Sequence, residues 1–174
     1  QTENVALTPG SDAADLNFSW YSAGKGTPAV KVWKDGSKSS AKVVTGNAEA
    51  ISAENWQGKS YSAANKVNIA DYFEENTQYH YQYTDNYTGD DSIWSAEYDY
   101  TTKATYKFSV ILTGDPQVGA SGSSSDYSAN DASVARDAYN WNKTMQQALK
   151  TCPDASFLLS AGDQINQSGA TKDN

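Results

Sequence analysis

Cysteine is nearly absent from the 174 residues: Cys152 stands alone, so no disulfide within the chain can staple a fold. Histidine is equally scarce, with His80 the single imidazole, although transition-metal sites commonly draw several of their ligands from histidine. Positive charge is in deficit. Against 21 Asp plus Glu there are 13 Lys plus Arg, for a formal net charge of −8 and a pI near 4.5. A surface of that sign repels phosphate backbones and anionic lipid, which speaks against nucleic-acid binding and against membrane-surface binding. No apolar run approaches the roughly 20 residues of a spanning helix. No secretory leader opens the chain either; beginning at Gln1 and rich in Tyr, Ser, Asn and Thr, it reads as a trimmed, secreted or cell-surface protein. Asn17, Asn86 and Asn142 each begin an Asn-x-Ser/Thr sequon, a density close to chance that decides nothing.

What the chain does have is enough apolar material for a core, at 38% hydrophobic and 12% aromatic. The aromatics are lopsided, with 12 Tyr and 5 Trp against 4 Phe, a mixture suited to half-exposed strand faces.

Residues 1–103 have the grammar of a β-sandwich. Leu16, Phe18 and Trp20 alternate with polar neighbours, as do Val30 and Val32, and Lys34-Asp35-Gly36-Ser37 follows as a turn. Residues 41–45, 66–69 and 79–84 are further short strands, and 92–101 adds Trp94, Ala96, Tyr98 and Tyr100 at period two. Six or seven short strands with frequent turn signals predict a sandwich.

Residues 104–174 read differently. Phe108-Ser-Val-Ile-Leu-Thr113 is nearly continuous in apolar character, as expected of a strand buried on both faces of a parallel sheet. It runs into Gly114-Asp115-Pro116-Gln117 and a Ser/Gly-rich loop over 119–128. Ser128-x-x-Asp131 has the form of a capping box. A helix follows, with Val134, Ala138, Trp141, Met145 and Leu149 as its apolar stripe and Pro153 as its stop. A second buried strand over 155–160 leads to Ala161-Gly162-Asp163-Gln164-Ile165-Asn166. The overall expectation is a mostly β chain: a sandwich followed by a strand–helix–strand (βαβ) start of an α/β domain.

Ligands of open α/β sheets bind beyond the carboxyl ends of the strands, and Asp115 and Asp163 both stand there, each after a glycine. Two neighbouring carboxylates repel unless a cation compensates them, and oxygen-rich ligand sets suit hard or borderline divalent ions. The competing account is that each Asp merely closes a turn, where Gly-Asp is common.

The stretch from Val110 through Gly114-Asp115-Pro116-Gln117 resembles the first motif of calcineurin-like metallophosphoesterases, in the subgroup with Gly-Asp-Pro-Gln. Leu158 through Gly162-Asp163-Gln164-Ile165-Asn166 resembles their second motif. Residues 5–10, 16–20, 64–83 and 94–101 resemble the fibronectin-III-like domain that precedes the catalytic domain in purple acid phosphatases. The resemblance implies a two-metal phosphoesterase (Fe, Mn or Zn) acting on phosphate esters. Asp115 would be a ligand of the first metal and Asp163 would bridge both. Gln117 stands where most relatives carry a His; it would coordinate through its amide oxygen or by way of water. Asn166 stands where purple acid phosphatases carry the Tyr that colours their iron, so no phenolate-to-iron band is expected. The family's Gly-Asn-His motif and later histidines have no counterpart here, which makes an inactive N-terminal portion the expectation.

The rival reading is a non-catalytic fibronectin-III-type binding or adhesion module, for carbohydrate or protein. Trp20, Trp33, Trp56 and Trp94 could stack on sugars, but alternating positions for Trp20 and Trp94 favour core and strand-face packing. His80, among tyrosines on a predicted strand, reads as structural or simply a surface residue, and Cys152 as a small hydrophobe. The loop over 119–125 lacks the Lys of a phosphate-binding P-loop. One helix and two strands cannot cover both faces of a sheet, so the C-terminal third is expected to be marginal or docked on the sandwich, with self-association through exposed strand edges as another outcome.

Overall fold

The computed structural model describes residues 3–54, 58–89, 92–122 and 131–166; Trp56, Ser128 and positions 123–130 of the Ser/Gly-rich loop lie outside them. Two compact units divide at Thr105 and Tyr106, and the whole is mostly β.

In the first unit, β1 (Glu3–Pro9), β2 (Leu16–Ser22), β6 (Ser60–Ile69) and β5 (Asn47–Glu54) form one antiparallel sheet in the order β1-β2-β6-β5. β4 (Lys42–Thr45), β3 (Ala29–Lys34), β7 (Gln78–Thr84) and β8 (Tyr98–Thr101) form the other, in the order β4-β3-β7-β8. The alternation expected of β2 is what the sandwich uses: Leu16, Phe18 and Trp20 point inward and are buried. They meet Val67 and Ile69 of their own sheet, and Val30, Val32, Tyr79, Tyr81 and Tyr83 of the facing one, in a single core. Phe18 meets Tyr81 edge-on at 5.2 Å, and Trp20 donates its indole N–H to Asp85 at 2.7 Å, which satisfies the polar atom that burial would otherwise orphan. Gly46, between β4 and β5, lies so close to the Lys66 carbonyl that a Cβ there would stand 2.0 Å from it.

Two expectations change here. β8 is shorter than 92–101, because residues 92–97 do not pair as a strand. The Ser95 hydroxyl accepts the Tyr83 N–H at 3.0 Å, the Ser95 N–H reaches the Tyr83 carbonyl at 2.9 Å, and Gln82 donates to the Ser95 carbonyl at 2.8 Å. A side chain thereby takes up ladder groups, and Trp94 is half-buried on an irregular segment rather than on a strand. β1 and β5, in turn, lie outside the expected strands: Val5 and Leu7 of β1 alternate with exposed Ala6 and Thr8 and pack on the core, and β5 arises from pairing with β6.

In the second unit, β9 (Ser109–Thr113) and β10 (Ala155–Ser160) pair in parallel, joined through the helix α1 (Asp131–Thr151). Neither strand is buried on both faces: Leu112 is 70% exposed, and Phe157, Leu158 and Leu159 are exposed as well. Among the described residues the sheet has two strands and one helix, which leaves most of its surface uncovered. The helix stripe is also rotated from the expected one. Val134, Asp137, Trp141, Met145 and Ala148 are half-buried, whereas Ala138 and Leu149 are exposed, because the flank they occupy meets no second layer. Between α1 and β9 a groove of about 650 Å³ stays open, lined by Ile111, Leu112, Thr144, Gln147, Ala148 and Cys152.

Candidate functional site

Parallel pairing brings the two Gly-Asp sequences side by side. Thr113 is the register partner of Ser160, and the Ala161 N–H extends the ladder to the Thr113 carbonyl at 2.8 Å. Past that point the chains splay and then rejoin. The Gln117 N–H donates to the Asp163 carbonyl at 2.9 Å, the Val118 N–H to the Gln164 carbonyl at 3.1 Å, and the Asn166 N–H to the Val118 carbonyl at 3.0 Å. Asp115, Gln117 and Asp163 are thus carried on two loops tied together at both ends, and Asn166 joins them through its backbone.

The backbone there is unusual. Asp115, Gln117 and Asp163 have φ of 49°, 39° and 44°, in the left-handed region; among the described residues only Asp71 and Asn76 are other non-glycine cases. Gly162, just before Asp163, sits at φ 124°, where a Cβ is poorly tolerated. Left-handed geometry costs a non-glycine residue roughly 1–2 kcal/mol, and such strain gathers at functional sites. The short side chains of Asp115 and Asp163 tolerate this region in turns, whereas that of Gln117 does not, so Gln117 is the case that turn chemistry leaves unexplained.

Asp115 and Asp163 are exposed and Gln117 is half-buried. Gln117 Nε2 donates a long bond of 3.4 Å to Asp163 Oδ2. Coordination through the Gln117 oxygen therefore requires the amide to turn over. A cleft of about 380 Å³ beside the first motif is lined by Asp115, Gln117, Ser121, Asp137, Asn140 and Trp141.

Asp137 has a role that sequence reasoning missed. Its carboxylate accepts the Gly119 and Ser121 N–H groups, both at 3.0 Å, and the Ser121 hydroxyl. Arg136 donates to the Ser121 carbonyl and, at 2.7 Å, to its hydroxyl. Together they fasten the loop after Gln117 to the helix. The Ser121 hydroxyl and amide, with the Gly119 amide, hold the Asp137 carboxyl below its ordinary range. The one available signal was a carboxylate interrupting the apolar stripe of α1.

Two carboxylates and an amide offer oxygen donors that suit a hard or borderline cation. They fall short of a complete site: among the described residues no group of three or more His, Cys, Asp or Glu could hold a metal ion.

A second concavity, of about 610 Å³, is lined in the sandwich by Tyr83, Asp85, Asn86, Trp94 and Tyr98 among others. Its rings are largely engaged with one another. The Lys31 ammonium stands 4.3 Å over Trp94, Tyr87 tilts against that indole at 5.9 Å, and Tyr98 stacks on Tyr81 and Tyr83. That arrangement extends the core outward, with Trp94 half-buried at its edge. No helix among the described residues is long and apolar enough to cross a membrane.

No family model and no curated protein matches this chain. Among solved structures, a purple acid phosphatase isolated from yellow lupin (Lupinus luteus) seeds is similar, with a TM-score of 0.65 at 15% sequence identity. The match covers 94% of this chain and 30% of that one. At such identity the likeness is one of fold, and the chain spans less than a third of that protein's length.

Proposed function

We propose that the chain is the N-terminal part of a secreted, metal-dependent phosphoesterase. Residues 1–103 form its fibronectin-III-like domain and 104–174 open its catalytic domain. The observation that carries this reading is the left-handed backbone at Asp115, Gln117 and Asp163, on loops beyond the carboxyl ends of adjacent parallel strands. The fold likeness to a purple acid phosphatase supports it. In this reading Asp115 and Asp163 would hold two ions, Fe, Mn or Zn, with Gln117 and Asn166 as further donors. When bound, such a pair supplies hydroxide near neutral pH and offsets charge at phosphorus during in-line displacement of a phosphate ester. The chain's own part is to position donors. The tied loops fix the two carboxylates, Asp137 and Arg136 fasten the loop beyond Gln117, and Asn166 offers no phenolate. With so few donors, the chain alone has negligible turnover.

The test is p-nitrophenyl phosphate hydrolysis with added Mn²⁺, by this chain and by the polypeptide extended along its gene. The expected result is activity in the extended protein alone, abolished by Asp163→Asn. An extended protein that is inactive, or indifferent to Asp163→Asn, would overturn the proposal.

A further inference from the structure

A separate cluster of ionisable groups lies on the outer face of the β4-β3-β7-β8 sheet. His80 on β7 is the cross-strand partner of Trp33 on β3 and of Asp99 on β8, and its ring stacks on the Trp33 indole at 5.8 Å and 23°. Both ring nitrogens face carboxylates. Nδ1 is 2.7 Å from Asp99 Oδ1 and 3.4 Å from Glu97 Oε1, and Nε2 is 3.0 Å from Asp35 Oδ1. The imidazole is only 14% exposed. Lys38, from the short 3-10 turn Lys38–Ser40, is the cation that faces this group, 2.8 Å from Glu97 and 4.9 Å over the Trp33 ring.

A neutral imidazole has one N–H and one lone pair, so with a carboxylate at each nitrogen one of the two contacts would set a lone pair against an anion. The imidazolium alone donates to both. The two carboxylates it bonds belong to different elements: Asp35 to the turn after β3, Asp99 to β8, a strand of four residues that among the described residues pairs only with β7. With a carboxylate at each ring nitrogen, the occupant that the geometry fits is a proton.

We infer that His80 is a proton-operated clasp of the sandwich: as imidazolium it ties the turn after β3 and the strand β8 to β7, and losing its proton releases one of them.

The electrostatics agree in sign. Asp35 first, and then Asp99, hold the His80 pKa above its ordinary 6.5, against a desolvation effect that lowers it. A raised folded-state pKa contributes stability that is fully present below 6.5 and is lost as pH rises through the folded value. The His80 bond in turn holds Asp35 below its ordinary 3.8, a contribution present above 3.8 and lost as pH falls through its folded value. The clasp is therefore tightest in mildly acidic solution, between those two ordinary values, and opens on the alkaline side.

Because the chain has one histidine, its ring Hε1 resonance is identifiable without assignment. The proposal expects that resonance to titrate with a midpoint above 6.5, moved down by Asp35→Asn and by Asp99→Asn. It expects the thermal midpoint of the whole chain to fall as pH rises through the His80 midpoint, and the His80→Gln variant to be flat over the same span. A wild-type midpoint at or below 6.5, or a His80→Gln variant that keeps the wild-type slope, would overturn it. If His80→Gln does not fold, the wild-type titration and its displacement in Asp99→Asn decide the matter.

Discussion

The two units use similar strand material to opposite effect. β2 interleaves apolar with polar residues, and its inward side chains, Phe18 and Trp20, are 1% and 2% exposed. β10 is at least as apolar, yet Leu158 and Leu159 are 48% and 53% exposed. What separates them is the number of layers: β2 faces a second sheet, whereas β9 and β10 have one another and a loosely applied helix. An apolar run states how many layers a strand is suited to, and burial states how many it has. Each aliphatic side chain left exposed forgoes about 1.5–3 kcal/mol of transfer free energy. Stability within this chain therefore resides in the sandwich.

The largest expected effect sharpens that contrast. Trp20→Ala should cost about 3–5 kcal/mol in chemical denaturation, a loss that includes its hydrogen bond to Asp85. Leu159→Ala should cost no more than about 0.5 kcal/mol, as at an exposed position. Equal losses would break the comparison, because they would mean that β10 is covered in solution. An intermediate effect is expected of Thr102→Val. The Thr102 hydroxyl accepts the Thr77 N–H at 2.9 Å and donates to the Glu74 carbonyl, so removing it breaks two part-buried hydrogen bonds at a cost of about 1–2 kcal/mol. The smallest effect is local to the second unit. Asp137→Ala should speed amide exchange at Gly119 and Ser121 by about tenfold, the equivalent of one charge-assisted hydrogen bond, with the Phe18 amide unchanged. Because the Asp137 carboxyl is held below its ordinary 3.8, the same loosening should appear in the wild type as pH falls through the folded value.

The inward face of β2, the turn after β3 and the helix were legible because each carries a local period or a turn signal. β5 was not. Asn47–Glu54 is short of β-branched residues, and only its ladder with β6 makes it a strand. Trp94 was placed on a strand because the period of two continues through it, and nothing local reveals that the Ser95 hydroxyl interrupts the ladder. At the candidate site, Asp115 and Asp163 were visible as Gly-Asp at strand ends. Asp137 was invisible because its bonds reach back 16 to 18 residues to a loop, a tertiary fact that helical periodicity disguises. The rotated stripe of α1 has the same origin, since periodicity cannot say which flank will find a neighbour.

The left-handed backbone at Asp115, Gln117 and Asp163 also sets limits on mutational drift. A change to glycine would relieve the conformation at any of the three but delete an oxygen donor. A change to Asn keeps a donor and the tolerance for positive φ, while β-branched residues are closed off by their own Cβ substituents. At Asp115 and Asp163 the accessible neighbourhood thus shrinks to Asp, Asn and Gly, and at Gln117 the present residue already sits outside the comfortable set. In a deep mutational scan read out by folding alone, glycine at these positions should score above the native residue.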